Sequence, residues 1–284
     1  MLARRGAQIY RSGRLITGRG VLRMSGIRLF WLFIRLGVLH ELAYRTNLVV
    51  QILYSTIGLS AALIFLAAVF AHTVTLAGWR SAELLGLVGV FFLLTGLLGT
   101  VVQPSLQWFI EDVRQGTLDF TLTKPADAQM LVSVNHVEVW KIIDVGLGLA
   151  LLGVALVQLG GQIPPAQAVT FVVALVAGVA TIYSFCLMLA TLAFWFVRVE
   201  NLLIVFLTFW EAGRWPLQIY PLWLRGTLTF LVPVAFATTV PAEALAGRLT
   251  APTVLSALTL AIVLLVVSRW CWCQGIRHYS GASA

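Results

Sequence analysis

Apolar residues in this chain come in long blocks, without the alternation of strands or the one-sided spacing of surface helices. No Asp, Glu, Lys or Arg occurs between Arg45 and Arg80, between Glu83 and Glu111, or between Asp144 and Arg198. A helix needs about 20 consecutive apolar residues to cross a bilayer. The first interval therefore predicts a span near Leu48–Ala71 and the second a span near Leu84–Val102. The third is too long for one helix and is broken at Gly160-Gly161-Gln162-Ile163-Pro164-Pro165, which predicts two spans, near Ile142–Leu159 and Ala168–Val197. A final span is expected from about Ala251 to Ser268. Between them, Pro216, Pro221, Pro233 and Pro241 crowd a stretch that regular helix tolerates poorly. One span is expected from Asn201 to about Trp215, followed by short re-entrant or interfacial helices over 218–247, because irregular backbone at membrane depth must be sheltered by protein or water. The expected fold is an all-α integral membrane protein with six transmembrane helices.

Composition removes the alternatives. Of 284 residues, 60% are hydrophobic and only 11% charged, against about 25% charged in soluble domains. Too few charges remain to cover a water-facing surface, so a soluble enzyme or a nucleic-acid binder is excluded. Of the 19 Lys and Arg residues, the six-span reading leaves only Arg80, Arg214, Arg225 and Arg248 outside. That asymmetry places both termini in the cytoplasm. The organisation read from it is a cytoplasmic N-terminal segment over 1–47, a single transmembrane domain over 48–270 and a cytoplasmic tail over 271–284. The N-terminal segment lacks the apolar run of a secretory signal. From Ile27 to Tyr44, Leu29, Trp31, Leu32, Phe33, Leu36 and Leu39 alternate with Arg28, Arg35, His40 and Glu41, the pattern of an amphipathic helix lying in the inner interface.

Little points to metal or redox chemistry. Cys186 falls within an apolar run, Cys271 and Cys273 lack further ligands nearby, and the four histidines are far apart, so no metal site is expected. Gly86, Gly89, Gly96 and Gly99 put small residues along one side of the second span, allowing close helix contact. Glu211 and Arg214, three apart at the end of the fifth span, suit a paired charge holding the re-entrant segment or lining a polar path. Tyr54 in the first span and Thr95 in the second are further path candidates. Lys141 and Asp144 have the spacing of an interfacial pair.

One long hydrophilic segment, 103–139, separates the second and third spans. A short helix is expected over Leu106–Arg114, ended by Gly116; Lys124-Pro125 then forces a turn, and 128–141 leads as a helix into the third span. Trp108, Phe109, Phe120 and Leu122 lie among its charges. Apolar anchors inside a polar rim are what a docking surface requires, although a solvated connector is equally compatible with the composition.

The residues Arg114-Gln115-Gly116-Thr117-Leu118-Asp119-Phe120 and Lys124-Pro125-Ala126-Asp127 resemble the loop signature of ABC-2 type permeases, the membrane subunits of bacterial ATP-binding-cassette exporters. Tyr44-Arg45-Thr46-Asn47, Arg198-Val199-Glu200-Asn201, Gly213-Arg214-Trp215-Pro216 and Pro233-Val234-Ala235-Phe236 agree with it. Asp144 departs from it, standing where relatives more often look uncharged. The resemblance implies a cytoplasmic coupling helix between spans two and three, re-entrant helices between spans five and six, a bacterial inner-membrane location, and a dimer with a second copy or a related permease. No G-x-x-x-x-G-K-[ST] motif is present, so ATP and Mg would be bound by a separate ATPase subunit and no cofactor by this chain. Its coupling loop would comprise Glu111, Asp112, Arg114, Gly116, Thr117, Leu118, Asp119, Lys124 and Pro125. An intramembrane enzyme and an ion-coupled secondary transporter are the competing classes; neither has a supporting cluster of intramembrane acids or histidines.

Overall fold

A computed structural model describes residues 45–124, 127–160, 164–196 and 199–279. The expected interface helix over 27–44 lies outside the described residues, as does Pro125. Among the described residues the chain is helical, apart from turns and a single bridge between Leu76 and Trp79. Five helices of the described residues are long and apolar enough to cross a membrane: Leu48–Phe70, Ser81–Gln115, Val139–Gln158, Pro165–Phe194 and Ala251–His278. These cover the expected first four spans and the last one.

The first helix, α1 (Arg45–Phe70), is followed by α2 (Ser81–Leu97), which continues without a break through a π-helical turn, Leu98–Val102, into α3 (Gln103–Gln115). The short loop helix expected over Leu106–Arg114 is thus the far end of the second span and not a separate element. Burial explains the extension: Leu106, Phe109 and Ile110 are almost fully enclosed, so the polar sequence still has an apolar face to bury. After a one-turn helix, α4 (Asp119–Leu122), comes α5 (Ala128–Val134). The helix expected to run on to Lys141 stops at Val134 because the next residues are held from α3. Ser105 Oγ donates to the His136 carbonyl (2.7 Å) and accepts from its N–H (3.1 Å), and Glu138 N–H donates to the Thr100 carbonyl.

The bundle is completed by α6 (Ile142–Gln158), α7 (Pro165–Thr191), α8 (Glu200–Glu211), α9 (Leu222–Gly226), α10 (Val234–Leu245) and α11 (Ala251–His278). Apolar all round, α2 is the centre of the core, as a helix with no polar face must be; Leu84, Leu87, Phe91 and Leu94 are buried on its several sides. It packs on α6 through glycines. A Cβ on Gly148 would lie 2.4 Å from the Leu93 nitrogen, and one on Gly96 2.5 Å from the Val145 nitrogen. Gly86, Gly89 and Gly99 likewise meet Leu245, Leu152 and the Lys141 stem. The small-residue side of span two is therefore used within the chain and is not free for a second copy. By contrast, α1 stands apart, with Leu53, Tyr54, Ile57 and Ile64 all exposed.

The expected fifth span is shorter than a crossing. α8 has 12 residues and ends in a 3-10 turn, Ala212–Arg214, well below the roughly 20 that a bilayer requires. Trp215 is extended (φ −115°, ψ 154°) because the residue before Pro216 is pushed out of the helical region. Farther on, the helices over Leu222–Thr229 and Val234–Leu245 meet at 90°, with Pro233 at the corner; together they form a broken span or a re-entrant loop, in the region where short irregular helices were expected. Among the described residues a sixth crossing exists only if this bent pair is counted as one. The final helix runs on to His278, past the expected start of the tail at 271.

Candidate functional site

Two places gather the residues singled out by sequence. The first is the loop end of the α2–α3 rod. Gly116 ends α3 in the left-handed region (φ 73°), its N–H donating to the Val113 carbonyl while the Thr117 N–H reaches back to Asp112. This double closure is the reason a glycine suits the position. The Thr117 hydroxyl donates to Asp112 Oδ1 (2.8 Å), and Leu118 is fully buried beneath the turn. Glu111 and Arg114 pair with each other across one helical turn (2.6 Å). Asp119 opens α4, and Lys124 projects into solvent.

Not all the loop's apolar residues are available for docking. Trp108 and Phe120 are exposed, but Phe109 is only 2% exposed, packed against Phe194 and Trp272, and Leu122 is half-buried. Trp108 stacks face to face on His136, with ring centroids 4.5 Å apart. Burial pushes the His136 imidazole below its ordinary pKa of 6.5, and nearby Asp112 pulls it only part of the way back. The folded loop thus binds this proton less readily than the unfolded chain, so its contribution to stability is lost as pH falls below about 6.5. The thermal stability of the wild type relative to His136→Gln is expected to decrease between about pH 7.5 and pH 5.5. A difference that does not change with pH would refute this.

Sequence reasoning gave Asp127 no role beyond the loop signature. Its carboxylate caps α5, accepting from Met130 N–H (3.2 Å), and also receives Arg269 from α11, with Nη2 to Oδ2 at 2.7 Å and Nη1 to Oδ1 at 3.1 Å. The guanidinium holds the Asp127 carboxyl below its ordinary 3.8. The only sequence signal was that Arg269 is the first charge after the last apolar block.

The second place is a cleft of about 540 Å³ between α1 and the α2–α8 wall. All four path candidates, Tyr54, Thr95, Glu211 and Arg214, line it. Thr95 accepts from Trp210 Nε1 (2.9 Å). Arg214 binds Glu211 (2.7 Å) and lies over the Phe91 and Phe92 rings, 4.9 and 5.6 Å from their centroids. Asp144, only 4% exposed, also lines the cleft. It accepts from Gln51 of α1 (3.2 Å), which also donates to Ser55 (2.8 Å); the pair expected between Asp144 and Lys141 is not among the contacts of the described residues.

A family model described as "ABC-2 family transporter protein" matches residues 56–283. The chain belongs to the ABC-2 transporter family. The match includes the whole α2–α5 loop region and every cleft element except the start of α1, so Gln51, Tyr54 and Ser55 fall just ahead of it. No curated protein and no solved structure matches the chain. ABC-2 permeases are multi-pass membrane transport subunits, and membership implies an ATP-binding partner subunit.

Proposed function

We propose that the chain is the permease subunit of an ATP-binding-cassette exporter, forming the path as a dimer with itself or a related permease. A separate ATPase subunit, carrying ATP and Mg, drives it from the cytoplasm. Both termini lie on that side of the plasma membrane, the bacterial inner membrane. The observation that supports this most is the single rod from Ser81 to Gln115. It carries the loop residues Glu111, Asp112 and Arg114 at one end and lines the membrane cleft with Phe91, Phe92 and Thr95 farther along. A push on the loop end reaches the cleft without crossing a joint. Trp108 and Phe120 are the exposed anchors, with Asp112, Arg114, Asp119 and Lys124 as their polar rim. Gly116, Thr117 and Leu118 set the loop's shape. Within the cleft, Tyr54, Thr95, Glu211 and Arg214 form the polar part of the path.

Reversing Glu111 and Arg114 together tests the docking surface. Because the two residues pair with each other, the double variant Glu111→Arg/Arg114→Glu keeps an internal pair while inverting the pattern shown to a partner. Co-purification of the ATPase is expected to weaken by at least roughly tenfold, as when a shielded charge contact is broken, with membrane insertion unchanged. Undiminished binding would make the loop a solvated connector.

A further inference from the structure

We propose that Asp127 and Arg269 are positioning residues for coupling: the grip through which the loop moves the last transmembrane helix. This rests on the reading of the loop as the ATPase contact, and it concerns what happens after docking. Nothing in the sequence brings these residues together; they are 142 positions apart.

The grip acts through α5. With seven residues, this helix is too short to persist on its own, and it is held from three directions. From α3, Ser105 fixes the backbone at His136 just beyond its end. From α7, Tyr183 shares a hydrogen bond with Ser133 (2.7 Å) and accepts from Gln129 (3.5 Å). From α11, Arg269 closes on Asp127 with two parallel bonds and donates a third to Gln129 Oε1 (2.8 Å). Asp127 therefore bonds the first turn of α5 and α11 with the same carboxylate.

Two physical points favour transmission over simple stapling. An ion pair with both side chains about half exposed adds little net stability, whereas forked pairing of guanidinium and carboxylate fixes direction as well as distance. In addition, α11 buries mostly small residues, Ala257, Ala261, Ser268 and Gly275. Such a strip lets α11 lie close along α7, so the helix responds as one piece to a pull at its end. At the loop end it is also held by large groups, by Trp272 against Phe109 and by the Arg269 fork. A displacement of the loop therefore draws α11 with it.

The test uses the complex with its ATPase, and Cys273 as reporter. Cys273 is exposed four residues beyond Arg269, Cys186 is buried, and Cys271→Ser silences the remaining thiol. The rate of Cys273 labelling by N-ethylmaleimide is measured with and without ATP and vanadate, and the ratio is compared across variants. The parent complex is expected to show a several-fold change. Arg269→Met removes the fork but keeps the apolar stem, and Asp127→Asn keeps a capping oxygen for α5 but loses the charge. Both are expected to abolish the change while still co-purifying with the ATPase, and Arg269→Lys to restore part of it. A full response in either disabling variant overturns the inference, as does a parent complex whose Cys273 ignores nucleotide. Loss of the ATPase from both variants also overturns it, because the pair would then merely staple the loop. A wild-type chain that holds no ATPase refutes the functional reading itself, before any variant is made.

Discussion

Gly148→Ala is expected to destabilise the protein by about 1–3 kcal/mol, the usual range for forcing extra volume into a filled core, and Gly148→Val by more. The new methyl group would lie 2.4 Å from the Leu93 nitrogen and 2.8 Å from both the Gly89 oxygen and the Leu93 Cα. All three are backbone atoms of α2, so no side chain can turn aside and the two helices must separate. Separation would open the contact at the centre of the core, where Leu93 and Leu152 are buried. The control lies on the same helix: a Cβ on Gly146 or Gly153 meets nothing within 4 Å. Thermal unfolding in detergent should show a large loss for Gly148→Ala and almost none for Gly146→Ala or Gly153→Ala. Equal effects at the three positions would mean that helix preference, and not close approach, governs this interface.

The second large effect is expected at the end of the bundle away from the loop. Glu83 is 5% exposed; it accepts from the Arg80 N–H (2.8 Å) and binds Arg248 (2.8 Å). Arg248 also donates to the Gly78 carbonyl and lies over the Trp79 ring, closing the α1–α2 turn onto the segment after α10. Arg248→Ala would strand a buried carboxylate. The expected cost is about 2–3 kcal/mol, below the roughly 3–5 for a pair buried on both sides, because the arginine is partly solvated. Adding Glu83→Gln removes the stranded charge and should recover much of the loss. Melting temperatures of the wild type, both single variants and the double variant test this; a double variant no better than Arg248→Ala would show that the charge itself is not what matters.

The spans were legible because charge-free intervals report directly on the lipid environment: the ranges near Leu48 and Ile142, and the start of the last span at Ala251, agree with the structure to within a few residues. What the intervals could not report is packing. The second span was expected to end near Val102 because polar residues begin there, yet the helix continues through them; Phe109, taken from its neighbours as an exposed anchor, belongs to a cluster completed by Phe194 and Trp272. The fifth span was overread because Asn201–Trp210 is apolar, whereas Pro216 fixes where its helix can end. The loop was legible as a motif with a glycine stop, and Gly116 occupies that stop. The convergence of Tyr54, Thr95, Glu211 and Arg214 on one cleft was legible only as polar groups in apolar surroundings, since their partners Trp210, Phe91 and Phe92 come from helices far apart in the chain. Asp127 and Arg269 gave no joint signal, because pairing between the ends of different spans leaves no local pattern.

If the rod from Ser81 to Gln115 rocks as one piece about the close approach of Gly96 to Val145, α2–α3 becomes a lever. Gln115 stands 19 residues beyond Gly96, about 28 Å at roughly 1.5 Å per residue, so a tilt of about 10° would sweep the loop end through about 5 Å. Ser81, 15 residues to the other side, would swing the opposite way by about 4 Å on the same rise. A tilt that draws the loop end towards the bundle axis must carry the Glu83–Arg248 end away from it. One rigid-body motion would thus narrow one mouth of the bundle while widening the other.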